Sequence, residues 1–63
     1  MYSTPNKAVK HRLLIVEDET DIRDLMKMHF TREGYDVTTV DDGEKTLQLL
    51  SENHYDLIVL DWM

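Results

Sequence analysis

Polar and apolar positions divide the chain into five segments. Leu13-Leu14-Ile15-Val16 and Leu57-Ile58-Val59-Leu60 are unbroken apolar runs rich in β-branched residues. Such runs read as strands buried on both faces, the kind a parallel sheet uses. The first strand spans about His11 to Val16. Ile22, Leu25, Met26, His29 and Phe30 then recur at helical spacing, with Arg23, Asp24, Lys27 and Arg32 turned outward. Thr20 or Asp18 is placed to cap this helix, and Gly34 to end it. Met26 and Phe30 are expected in the core. A second strand covers about Tyr35 to Val40. Asp41-Asp42-Gly43 forms a turn with an N-cap, and a second helix starts at Asp42 or Gly43. It carries Leu47 and Leu50 inward, with Leu49 a third candidate, and closes over Ser51 to Tyr55.

The order β-α-β-α-β implies parallel strands joined by right-handed crossovers. The two most apolar strands belong in the interior and the second at an edge, which gives the spatial order 2-1-3. The path reverses direction between strands one and three, and ligands bind in the crevice above such a switch point. Glu17, Asp18 and Asp61 lie at its mouth. The outer edge of strand three is left apolar and unpaired, a hazard for association. Further strands are therefore expected beside it, or self-association of the chain through that edge.

Composition narrows the function classes. Sixty-three residues hold at most one small domain, and a net charge of −6 argues against nucleic-acid contact by this segment. There are no cysteines, which removes disulfides and thiolate metal sites and fits a cytoplasmic location. His11, His29 and His54 are scattered. No apolar stretch approaches the ~20 residues of a membrane span, and Met1–His11 lacks a signal core. Residues 1–10, with Ser3, Thr4, Pro5 and Asn6, are expected to be a flexible leader before a domain over 11–63. Lys7, Lys10, His11 and Arg12 read as its solvated charges, and His54 as a cation near the end of helix two.

Carboxylates at the ends of neighbouring strands stand ~5 Å apart, where a like-charge pair costs ~3 kcal/mol at an effective dielectric of 20. A hard divalent cation relieves this, and oxygen donors without histidine or cysteine favour magnesium over zinc. Asp61 is then a ligand only, or a ligand and a nucleophile toward phosphorus. The competing account of Glu17, Asp18, Glu19 and Asp21 is that acids at a helix start complement its dipole. Asp61 has no helix after it in this sequence, and it tips the balance toward a site.

Leu-Leu-Ile-Val-Glu-Asp-Glu (13–19), Ile22-Arg23, Gly34-Tyr35-Asp36-Val37, Asp42-Gly43-Glu44 and Tyr55 to Asp61 together resemble the first half of a bacterial two-component response-regulator receiver domain. The ending Leu60-Asp61-Trp62-Met63 is most similar to receivers of the phosphate-response transcription-factor type. The resemblance covers about residues 11–63. It implies a flavodoxin-like (CheY-like) α/β fold, a doubly wound parallel sheet of which β-α-β-α-β is present. Asp61 matches the phosphoacceptor that takes a phosphoryl group from a sensor histidine kinase. Glu17 and Asp18 match the acidic pair that holds Mg2+ with Asp61, and Met63 matches the residue lending its backbone carbonyl to the metal. The family often has aspartate at the first acidic position; the resemblance implies that the longer arm of Glu17 reaches the ion through a water.

The family's hydroxyl residue, lysine and aromatic switch residue lie beyond the third strand and are not among these residues. Half a receiver is therefore expected, with slowed or absent phosphorylation and an output domain, transcriptional by resemblance, outside the sequence. On this reading the chain is a regulatory phosphoacceptor and not an enzyme acting on other substrates. Two other functions compete. A phosphorylation-incompetent interaction fragment keeps the fold without the chemistry. An aspartyl-nucleophile phosphohydrolase of the haloacid-dehalogenase type is disfavoured, because Met63 stands where that family places a second aspartate.

Overall fold

Four consecutive apolar residues, Leu13 to Val16, are buried to 1% exposure or less, so their strand runs through the middle of the molecule. The computed structural model describes residues 10–61, with Asp61 described by its backbone. The elements are β1 (Arg12–Glu17), α1 (Thr20–Arg32), β2 (Asp36–Val40), α2 (Gly43–Glu52) and β3 (Leu57–Asp61). They form a three-stranded sheet of order β2-β1-β3, with both pairings parallel. The order 2-1-3 expected from the apolar runs is thus present, as the flavodoxin-like fold implied by the resemblance requires. The strands themselves begin one residue later than the sequence pattern suggests at β1 and β2.

Register fixes which residues share a face. Leu14 lies opposite Thr38 and Ile58, and Val16 opposite Val40 and Leu60. Leu14, Val16 and Val40 form a core cluster on which Leu49 of α2 and Tyr55 pack. Leu13 and Ile15 alternate to the other face, and α1 crosses β1 and β2. Right-handed crossovers to strands on either side of β1 require the two helices to take opposite faces.

Each helix is closed by a local device. Asp42 has extended backbone and its Oδ1 accepts the Lys45 N–H at 2.8 Å, while the Thr46 hydroxyl donates to the Asp42 carbonyl at 2.8 Å. This is the N-cap expected from Asp41-Asp42-Gly43. At the end of α1, Gly34 adopts φ 101°, and the N–H groups of Glu33, Gly34 and Tyr35 donate to His29, Thr31 and Phe30 carbonyls. The left-handed turn needs the missing Cβ, as the position of Gly34 implied.

The inward faces differ from the periodic reading. In α2, Thr46 is buried and Leu49 half-buried, whereas Leu47 is 71% exposed and Leu50 is also exposed. In α1, Arg23, Met26 and Phe30 are half-buried, while Ile22, Leu25 and His29 are exposed. The helical spacing turns Arg23 outward and places Met26 and Phe30 in the core, whereas all three are half-buried. The physical reason is common to both helices. Each apolar stripe is wider than the surface three strands offer, so one side of each stripe overhangs the sheet. The start of α1 is also corrected: Glu19 occupies the N-cap position, and neither Asp18 nor Thr20 supplies a side-chain cap.

β3 has β1 as its neighbour, and its Leu57, Ile58 and Leu60 are exposed. At the amino end of the sheet Arg12 is a strand residue and not a solvated leader. Its N–H donates to Asp56 Oδ2 at 2.8 Å, its Nε stands 3.7 Å from Asp36, and its guanidinium lies 5.0 Å from the Tyr55 ring centre. His11 and His54 approach the same Asp56 at 3.5 and 3.2 Å. His54 therefore has a specific carboxylate partner. The expectations for residues 1–9, Lys7 among them, and for Trp62 and Met63 lie outside the described residues.

Candidate functional site

β1 ends on an acidic side chain in the most buried part of the fold. Glu17 is 1% exposed, because it prolongs the central strand that both helices flank. Its Oε2 accepts the Glu19 N–H at 3.0 Å, and its backbone carbonyl accepts a hydrogen bond from Arg23 Nη1 at 2.9 Å. The first of these satisfies an amide at the start of α1, a group that no intrahelical carbonyl reaches. Glu17 therefore performs the structural task of an acid at a helix start. Asp18 and Glu19 follow in the turn and are exposed. Asp18 offers its carboxylate to solvent at the carboxyl end of the sheet.

β3 brings the second acidic strand end to the same place. Asp61 is the register partner of Glu17, one rung beyond the pairing of Val16 with Leu60. Neighbouring parallel strands stand ~4.8 Å apart, so the two acidic positions are adjacent at the switch point between β1 and β3. Glu17, Asp18 and Asp61 thus share one end of the sheet, and Met63 lies outside the described residues. Among the described residues no three His, Cys, Asp or Glu side chains gather closely enough to hold a metal ion. The donor types at this end are nonetheless all carboxylate oxygens, which suit a hard cation such as magnesium.

The opposite flank of the mouth carries Asp41, just past β2. Lys45 Nζ lies 3.1 Å from its Oδ1. That hydrogen bond, and then the charge of Lys45, hold the Asp41 carboxyl below its ordinary range, and the same contact raises Lys45. The charge of Arg23 acts on both groups in the same region. Reading by periodicity missed Arg23, since an arginine between acids in a first helical turn looks like a solvated charge. Its signal was its position: a cation in an acidic helix start, where the dipole disfavours it, needs a specific partner.

The family model described as response regulator receiver domain matches residues 13–63. An uncharacterized transcriptional regulatory protein, YrkP of Bacillus subtilis, is 45% identical over 53 residues, covering 84% of this chain and 22% of that protein. The response regulator SaeR of Staphylococcus aureus is 51% identical over 51 residues, covering 81% of this chain and 22% of its own length. A probable transcriptional regulator, ycf27 of Cyanidium caldarium, is 43% identical over 54 residues, covering 86% of this chain and again 22% of the relative. The chain therefore spans about a fifth of the length of the curated relatives it matches. No solved structure matches it.

Proposed function

The chain belongs to the response regulator receiver domain family, and from that premise we propose that it forms the acidic half-site of a magnesium-dependent phosphoacceptor in two-component signalling. The observation that carries the proposal is the shared rung of Glu17 and Asp61 at the carboxyl end of the sheet. Glu17, Asp18, Asp61 and the Met63 carbonyl would hold Mg2+. The ion supplies charge neutralisation and a fixed position for phosphoryl oxygens.

The roles of the chain's residues follow from their positions. Asp61 is the nucleophile: its carboxylate oxygen forms a bond to phosphorus as the bond to the imidazole nitrogen of a sensor kinase histidine breaks. The electron pair leaves with the imidazole. The product is an acyl phosphate on Asp61. Asp18 would share in holding the ion. Glu17, tied through Oε2 to the Glu19 N–H, keeps the end of β1 and the start of α1 in one arrangement while contributing negative charge. In the whole protein the acyl phosphate biases a two-state domain that controls an output domain, transcriptional by analogy with YrkP and ycf27. The role is regulatory, and the location cytoplasmic. No described helix is long and apolar enough to cross a membrane.

Trp62 is the sole tryptophan and adjoins Asp61 in sequence, so its fluorescence reports on cation binding. Magnesium titration should give a saturable change that Asp18→Asn and Asp61→Asn each weaken. Identical titrations in all three chains would contradict the site.

A second reading rests on β3. Its Leu57, Ile58 and Leu60 are exposed on a strand paired on one side by β1. Self-association through that edge is compatible with the first reading. Light scattering should show a mass that rises with concentration and falls in Leu60→Lys; a constant monomer mass would contradict it.

A further inference from the structure

Arg23 makes two different bonds to the turn that follows β1. Its backbone N–H donates to the Glu19 carbonyl at 2.9 Å, closing the first turn of α1. Its side chain reaches back over that turn, and Nη1 donates to the Glu17 carbonyl at 2.9 Å. Glu19 in turn gives its N–H to Glu17 Oε2 at 3.0 Å. Three bonds thus enclose Glu17, Asp18 and Glu19, the segment that presents the exposed Asp18 carboxylate. The Arg23 side chain is half-buried, which shields its bond from water and makes a charge-assisted contact stronger than at a free surface.

We infer that Arg23 is a positioning residue of the acidic mouth: by fixing the Glu17 carbonyl it fixes the path of the turn, and so where Asp18 stands relative to the end of β3. The inference rests on the magnesium reading above and adds to it a residue that touches neither ion nor phosphoryl group. Outer partners that orient metal ligands typically change affinity by about 10–100-fold when removed.

Electrostatics alone predicts the opposite sign. A guanidinium close to the mouth repels a divalent cation, so deleting its charge should tighten magnesium binding. Deleting a positioning contact should loosen it. Sign therefore separates the two roles, and neither is a readout of phosphorylation.

The test compares the chain with Arg23→Met, which keeps the apolar stem and removes charge and donor, and with Arg23→Lys, which keeps the charge on a side chain without the guanidinium fork. Magnesium is titrated while the Asp18 and Glu19 amide resonances are followed, and hydrogen exchange of the Glu19 amide is measured without metal. The expected result is magnesium affinity about tenfold weaker in Arg23→Met, weaker also in Arg23→Lys, with faster Glu19 exchange in both. Unchanged or tighter binding in Arg23→Met overturns the inference; if that variant does not fold, Arg23→Lys binding as wild type overturns it. A wild-type chain that binds no magnesium overturns the functional reading and the metal role of Arg23 with it. Glu19 exchange unchanged in both variants overturns the clamp whatever the metal does.

Discussion

Glu17 and Asp61 stand on the same rung of the sheet, residue opposite residue at the carboxyl ends of β1 and β3. Two acidic positions one strand spacing apart repel by ~3 kcal/mol at an effective dielectric of 20 when both are ionised. Asp61→Asn removes that repulsion. In metal-free buffer its urea midpoint should exceed that of the unaltered chain, and added magnesium should narrow the difference. A lower midpoint in metal-free buffer would contradict the repulsion argument.

Gly34 offers a clean measure of backbone cost. It holds φ 101°, and a Cβ built there meets nothing within 4 Å. Gly34→Ala therefore adds no collision and isolates the penalty of a side chain in left-handed backbone, about 1–2 kcal/mol. Denaturant unfolding should show a loss of that size with the m-value unchanged. A neutral or stabilising effect would mean the α1–β2 turn relaxes to another conformation.

How much was legible in the sequence follows from which features are local. The five elements, their order and the central place of Leu13–Val16 came from apolar runs and turn residues, both short-range. The acidic strand ends were visible because a charge closing a buried run is conspicuous at Glu17 and at Asp61. The inward helix faces were not legible. Leu47 and Leu50 look like core on a helical wheel, yet Thr46 and Leu49 face the sheet. Which half of a broad apolar stripe is covered depends on the width of the sheet beneath it, a tertiary quantity. Arg23 escaped for a related reason: its partner is a backbone carbonyl, which carries no residue signature.

Asp56 sets a pH dependence at the opposite end of the sheet. The Arg12 backbone N–H, and then the His54 hydrogen bond, hold its carboxyl below the ordinary aspartate range. A lowered folded value means that the unfolded chain binds the proton more readily. The stabilisation is thus complete above about pH 4 and is lost as pH falls through the lowered value. Unfolding midpoints measured down the acid limb should fall less steeply in Asp56→Asn than in the unaltered chain. Equal slopes would show that Asp56 is not a source of the acid sensitivity.

The most direct measurement is intact mass after prolonged incubation of the chain with magnesium and acetyl phosphate. A slow gain of one phosphoryl group is expected, abolished by chelation of the metal and absent in Asp61→Asn. A gain that persists in Asp61→Asn, or that survives chelation of the metal, would contradict the claim that this acidic strand end is the phosphoacceptor.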